Sequence, residues 1–146
     1  MDFEFVKNIK FVIVDVDGVL TDGTIYIDSQ GCETKAFSVL DGTGISYLHR
    51  VSIKTAIISG RNCNAVTHRA KELGIEDVYQ GIKNKLDAYN QLLEKYALRD
   101  EEICYIGDDL IDLPILYRVG FSVAVANASP IVKRQSDYVT KARGGY

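Results

Sequence analysis

The apolar run Phe11-Val12-Ile13-Val14 leads straight into Asp15, Asp17 and Asp22, with Gly18 and Gly23 between them. Carboxylates this close repel one another, so a fold that gathers them at the end of a buried strand holds something positive there. Two further apolar runs end in polar groups. Thr55–Ile58 is followed by Ser59, Gly60 and Arg61, and Ile103–Ile106 by Gly107, Asp108 and Asp109, with Asp112 a helical turn further on. Asp109 and Asp112 fall on the same side of that turn. Hard oxygen donors of this kind suit Mg²⁺, which takes one or two carboxylates and completes its octahedron with water and phosphate oxygens. Arg61, Lys83 and Lys85 are the nearest cations that could balance the remaining charge.

These residues can meet only if the strands that carry them lie side by side. Apolar, β-branched runs alternate with segments of helical period, the pattern of an α/β fold with a parallel sheet. Core strands are predicted at Ile9–Val14, Lys54–Ser59, Asp77–Tyr79, Ile103–Ile106 and Phe121–Val125, and helices at Gly44–Val51, Asn64–Leu73, Lys83–Tyr96 and Asp109–Val119. In the third helix Ile82, Leu86, Tyr89, Leu93 and Tyr96 recur at helical spacing, giving one stripe to pack on the sheet. Open sheets of this type bind ligands outside the carboxyl ends of their strands, where the Asp, Ser and Arg residues fall. One segment breaks the alternation. Thr24–Asp28 and Glu33–Val39 have strand composition and flank Ser29-Gln30-Gly31-Cys32, which reads as a hairpin turn. This hairpin, at residues 24–39, is too short for a crossover and should project from the main sheet. The expected architecture is a Rossmann-like, doubly wound parallel sheet with helices on both faces, residues 1–146 forming one domain.

Composition excludes several classes of function. A chain of 146 residues, 47% hydrophobic and 25% charged, can build one sizeable core and is ordinary for a globular protein. With 17 basic against 20 acidic residues the net charge is −3, which offers no footprint for nucleic acid or an anionic membrane surface. A small anionic substrate has to be met by local positive charge. Cys32, Cys63 and Cys104 are odd in number and widely spaced, so neither a disulfide framework nor a zinc site is implied. The start Met1-Asp2-Phe3-Glu4-Phe5 lacks the features of a signal peptide, and no apolar run approaches membrane-spanning length. A cytoplasmic protein is expected.

Four elements, in order, resemble the motifs of the haloacid dehalogenase-like superfamily of aspartyl-phosphate-forming phosphatases. They are Asp15-Val16-Asp17-Gly18-Val19, Ser59 after Thr55-Ala56-Ile57-Ile58, a lysine best matched by Lys85, and Gly107-Asp108-Asp109-Leu110-Ile111-Asp112. The resemblance spans most of the chain. It implies that Asp15 attacks phosphorus to form an aspartyl-phosphate, while Asp17 protonates the departing oxygen and then deprotonates the hydrolytic water. Mg²⁺ held by Asp15, the Asp17 backbone carbonyl and Asp108 would offset repulsion between the nucleophile and the phosphate. Lys85 and Ser59, beside Gly60 and Arg61, would hold phosphate or substrate, and Asp109 and Asp112 would orient metal waters or the lysine. Each residue taken singly has a plainer reading. An aspartate after a strand is commonly a turn residue or helix cap, and Ser59 could cap the following helix. Lys85 could be a solvated helix lysine with Lys83 as its substitute, and His49, His68 and Cys63 read as surface or packing residues. Only the joint pattern favours the chemistry.

Many members of that superfamily insert a cap domain after the first or second motif. Here residues 18–58 are spent on the hairpin and one helix, and residues 60–84 on a helix and a short strand, so no cap domain is expected. An uncapped site accepts a large substrate or borrows a lid from another subunit, and the hairpin, with its exposed edges, is the natural element of assembly. The fuller pattern DVDGVLTDG, FSVLDGTGI, SGR, GIKNKL, GDDLIDLPIL and ARGG is similar to the capless subfamily of 3-deoxy-D-manno-octulosonate 8-phosphate phosphatases. That similarity implies a Mg²⁺-dependent homotetramer that frees phosphate from an eight-carbon keto-acid sugar in lipopolysaccharide synthesis. It also implies that the hairpin of one subunit covers the site of its neighbour, and that Arg61 faces the substrate, where it could complement the sugar's carboxylate, or the subunit interface. Members of the subfamily continue past the ARGG of residues 142–145 with a segment that, by the same resemblance, reaches a neighbouring active site. Three other readings stand beside this one. A nonulosonate 9-phosphate phosphatase of the sialic-acid type would share all four motifs. A non-catalytic oligomerisation domain, of the kind fused to nonulosonate nucleotidyltransferases, would keep the carboxylates as remnants. A response-regulator receiver would carry its phospho-acceptor on a middle strand, whereas here the DxD pair follows the first.

Overall fold

The structure, a computed structural model, describes residues 4–146; Met1-Asp2-Phe3, read above for signal-peptide features, lies outside them. In chain order the described residues form β1 (Phe11–Val14), β2 (Tyr26–Ile27), β3 (Glu33–Thr34), α1 (Val39–Arg50), β4 (Lys54–Ile58), α2 (Asn64–Leu73) and β5 (Asp77–Tyr79). There follow α3 (Lys85–Tyr96), β6 (Ile103–Gly107), α4 (Leu113–Leu116), β7 (Phe121–Ala124), α5 (Pro130–Gln135) and β8 (Tyr138–Val139).

Strand β1 is buried along its whole length. An apolar run without alternation requires this, since both its faces must be covered. It sits inside a six-stranded sheet of order β5-β4-β1-β6-β7-β8, and every neighbouring pair is parallel. Register brings the end of β1 level with both neighbours, Val14 facing Ile57 and Ile106. From β1 the chain steps outward through β4 to β5, then returns to β6 and continues through β7 to β8. Right-handed crossovers therefore place α1 and α2 on one face and α3, α4 and α5 on the other. The strand order reverses beside β1, which opens a crevice at the carboxyl ends of β1 and β6. The core beneath it includes Phe11, Ile13, Ile57, Ile58, Tyr89, Leu92, Ile103 and Tyr105, all fully buried. Each large apolar side chain buried in this way contributes about 1.5–3 kcal/mol relative to exposure.

The fold matches the predicted doubly wound sheet, and the differences are local. Helix α1 begins at Val39, not Gly44, because the Ser38 hydroxyl accepts the Leu40 amide as an N-cap. Gly42, inside this helix, has a packing role there. A Cβ on Gly42 would press against Arg69 and Leu73 of α2, so its absence lets the two helices approach. The hairpin strands are shorter than expected, and its second arm ends at Thr34 instead of running to Val39. Predicted helix 109–119 is a 3₁₀ turn over Leu110–Asp112 followed by the short α4, whose first turn tolerates Pro114. In α3 the fully buried face is Lys85, Ala88, Tyr89 and Leu92, with Leu86, Leu93 and Tyr96 at its flanks. No described helix is long and apolar enough to cross a membrane, and no inserted domain other than the hairpin separates the described core elements.

Candidate active site

At the β1–β6 crevice the Asp15 amide donates to the Ile106 carbonyl at 3.1 Å, which extends the ladder one residue past the strand and fixes the Asp15 backbone. Lys85, the first residue of α3, reaches in from the opposite side with its side chain 1% exposed. Its Nζ lies 2.9 Å from Asp15 Oδ1 and 2.7 Å from Asp112 Oδ1. The Tyr105 hydroxyl donates to the same Asp112 oxygen at 2.6 Å, while Asp112 Oδ2 accepts the amides of Asp108 at 3.0 Å and Asp109 at 3.2 Å. Asp112 is thus engaged on both oxygens and braces the loop after β6. Lys83, the alternative to Lys85, is exposed.

The charges are unevenly satisfied. Carboxylate oxygens of Asp15, Asp108 and Asp112 lie within 4.8 Å of one another. Burial pushes the Asp15 carboxyl up to about 6, although Lys85 opposes that rise. Burial, with Asp15 and Asp112 nearby, raises Asp108 to about 7. Burial alone would lower Lys85, but Asp15 and Asp112 outweigh it and its ammonium is held above the ordinary range. Asp108 Oδ1 is buried and accepts no hydrogen bond. An orphaned carboxylate oxygen beside two more carboxylates fits a hard divalent cation, and Mg²⁺ suits these donors.

The sign of the pH dependence follows. Both raised carboxyls bind more protons in the native than in the unfolded state between about pH 4 and 7, so without metal, stability falls as pH rises through that window. Metal binding strengthens as the same groups ionise. The expected result is a thermal midpoint that drops between about pH 5 and pH 7.5 in EDTA and is recovered by Mg²⁺ mainly at the higher pH. Equal Mg²⁺ shifts at both pH values would place the ion elsewhere.

The loop between Asp15 and Gly23 is held from three directions. Gly18 adopts φ +91°, and a Cβ there would collide with the Asp108 carboxylate. Only glycine lets the two loops approach this closely. The buried Thr21 hydroxyl accepts the amides of Gly18 at 3.3 Å and Gly23 at 3.2 Å. Asn127, after β7, donates to the Gly18 carbonyl at 2.9 Å and accepts the Gly144 amide at 2.7 Å, while the Gly145 amide donates to Val19 at 3.0 Å. The ARGG segment therefore backs the loop.

Ser59, at the end of β4, is buried, and its hydroxyl accepts the Arg61 amide at 3.3 Å. It does not cap α2, whose N-cap is Cys63. Gly60 is exposed beside it. The Arg61 guanidinium is exposed and paired with Glu33 of the hairpin, Nη2 to Oε2 at 2.8 Å. Arg61 and Lys35 hold the Glu33 carboxyl down to about 2. Lys35 in turn pairs with Asp17 and, at 2.6 Å, with Glu33. Within one chain the hairpin thus touches its own site. Asp109 caps the 3₁₀ turn by accepting the Leu110 amide at 2.7 Å and is exposed, and Asp22 accepts the Thr24 amide at 2.8 Å in a simple turn. His49 bonds Thr55 at 2.7 Å and His68 is exposed, in keeping with their plainer readings.

Residues 77–143 match the haloacid dehalogenase-like hydrolase family. The chain is 50% identical over 139 residues to the 3-deoxy-D-manno-octulosonate 8-phosphate phosphatase of Escherichia coli K12, covering 95% of this chain and 74% of the relative. The phosphatase of that name from Yersinia pestis superposes with a TM-score of 0.95 at 48% identity, covering 97% of this chain and 77% of that one. The Moraxella catarrhalis phosphatase, solved with magnesium, phosphate and the octulosonate sugar, superposes with a TM-score of 0.95 at 43% identity, covering 98% and 82%.

Proposed function

The chain belongs to the haloacid dehalogenase-like hydrolases, in the 3-deoxy-D-manno-octulosonate 8-phosphate phosphatase family, and from that we infer how this site frees phosphate from the eight-carbon sugar. It is a phosphomonoester hydrolase whose cofactor is Mg²⁺. The observation that carries the reading is the buried Asp15–Lys85–Asp112 chain beside the unpartnered Asp108 oxygen.

Asp15 is the nucleophile, its backbone fixed at the end of β1 and its carboxylate aimed into the crevice. Lys85 and the Ser59 hydroxyl receive phosphoryl oxygens of the substrate. Asp15, the Asp17 carbonyl and Asp108 would hold Mg²⁺, which would supply positive charge where an anionic nucleophile meets a dianionic phosphate. Asp112 is better placed as a brace than as a ligand, since its oxygens already serve Lys85, Tyr105 and two amides. Asp17 protonates the sugar oxygen as the aspartyl-phosphate forms, then takes a proton from the hydrolytic water. Arg61 is the candidate partner for the sugar's carboxylate, which must share the guanidinium with Glu33 or displace it.

Residues 1–146 act as one catalytic domain in this reading. Assembly into a homotetramer is favoured by the apolar side chains that Ile25, Tyr26 and Ile27 expose along the hairpin. The net charge of −3 and the buried Cys63 and Cys104 thiols accord with a cytoplasmic enzyme that supplies lipopolysaccharide precursors without contact to nucleic acid or membrane.

The test is phosphate release from the octulosonate 8-phosphate and from a nonulosonate 9-phosphate, each with Mg²⁺ and with EDTA. Metal-dependent turnover is expected on both, with the higher kcat/KM on the eight-carbon ester. A preference for the nine-carbon ester would move the enzyme to the sialic-acid type of pathway.

A further inference from the structure

Lys35 lies one residue beyond β3, on the projecting hairpin, yet its side chain is only 1% exposed. Its ammonium is paired with Asp17 Oδ1 and, at 2.6 Å, with Glu33 Oε1. Glu33 is held in turn by Arg61, Nη2 to Oε2 at 2.8 Å and Nε to Oε1 at 3.4 Å. Among the described residues the second Asp17 oxygen accepts no hydrogen bond. Burying an ammonium on a peripheral hairpin costs solvation that an apolar side chain would not. What it accomplishes geometrically is specific: one carboxylate oxygen is tied down and the other is left without a hydrogen-bond donor among the described residues.

We propose that Lys35 is a positioning residue that orients Asp17 for proton delivery to the leaving-group oxygen, making the hairpin part of the acid–base apparatus of its own subunit. The inference rests on the acid–base role of Asp17 stated under the proposed function. A carboxylate on a mobile rotamer delivers a proton poorly even when it lies close by, because the transfer needs the donor oxygen within hydrogen-bond reach of the departing oxygen. Lys35 removes that freedom by anchoring Oδ1, and Glu33 fixes Lys35 from its far side.

The experiment measures kcat/KM for a series of ring-substituted phenyl phosphates in Mg²⁺, from phenyl to p-nitrophenyl, for the parent enzyme, Lys35→Ala and Asp17→Asn. kcat/KM covers the steps through departure of the phenol, so the later attack of water does not enter, and no sugar is present for Lys35 to touch. Phenolate leaves poorly and needs the proton; p-nitrophenolate does not. For Lys35→Ala the expected loss is about 30-fold on phenyl phosphate and below about threefold on p-nitrophenyl phosphate, within the range of general acid catalysis. The plot of log kcat/KM against leaving-group pKa therefore steepens, as it does more strongly for Asp17→Asn. A uniform loss across the series, or none, overturns the positioning role and leaves Lys35 as a structural pin of the hairpin. If the slope stays at the parental value in Asp17→Asn itself, the failure lies in the acid reading and not in Lys35. Should Lys35→Ala fold poorly by thermal melting, Lys35→Gln, which keeps a donor of similar reach, is expected to give an intermediate slope, and a parental slope there counts against the proposal.

Discussion

Asp15→Asn is expected to lower phosphate release by at least about 10⁴-fold, because it removes the covalent nucleophile while keeping the shape of the side chain. The variant should fold. Asparagine fills the same buried volume, the Asp15 amide that bonds Ile106 is untouched, and Lys85 keeps its 2.7 Å contact with Asp112. Removing one of three crowded carboxylates also relieves repulsion, so in EDTA the variant should melt no lower than the parent at neutral pH. Brief incubation with substrate followed by acid quench should trap phosphate on the parent protein and none on the variant. Residual turnover within about tenfold of the parent would exclude Asp15 as nucleophile.

The second large effect belongs to Lys85→Ala. Without its ammonium, the buried carboxylates of Asp15 and Asp112 face each other with no cation between them, although Asp112 keeps Tyr105 and two amides. Breaking a buried ion pair from one side typically costs about 3–5 kcal/mol. Losing a preorganised cation at the phosphoryl oxygens should also reduce turnover by about 10²–10³-fold. The pH dependence separates these contributions. Lys85 is held above its ordinary pKa in the fold, so its own pairing persists across the neutral range and fails only at strongly alkaline pH. Asp15 in the variant loses the cation that opposed its upward shift and takes up a proton more readily than in the parent, so the destabilisation should shrink as pH falls. Urea melts at pH 5 and pH 8 test this directly, and an equal stability loss at both would mean that Lys85 matters only as a packing stem. Lys85→Arg should not rescue turnover, since a forked guanidinium cannot occupy the space between Asp15, Asp112 and Tyr105.

How much of this was legible follows from how local each signal is. Asp15, Asp17, Ser59 and Asp108 sit directly after buried strands, and a parallel sheet necessarily brings strand ends to one edge. The assignment of Lys85 needed the fold, because Lys83 has the same chemistry two positions away and only the start of α3 decides which side chain turns inward. Lys35 and Glu33 were invisible as site residues. Their partners lie 18 and 28 positions distant, and nothing in a short hairpin with ordinary charges announces which way its arms fold back. Tyr105 and Asn127 were missed for a similar reason, one inside a strand that reads as plain core and the other in an unremarked loop. Helix α1 starts five residues before the predicted Gly44, and Gly42 within it leaves room for Arg69 and Leu73 of α2. The brief α5 and β8 carry too few residues for any period to show.

The inner position of β1 also bears on the chain before it is folded. Synthesis delivers Phe11-Val-Ile-Val14 early, but its neighbours β4 and β6 emerge only from residues 54 and 103 onward. During that interval a β-branched apolar segment has both edges open, a template for pairing with other nascent chains. Charges flanking such a segment act as gatekeepers against that association. Asp15 and Asp17 follow it closely, so the two aspartates proposed to act on phosphate in the finished protein are also placed where gatekeeper charges belong in the growing polypeptide.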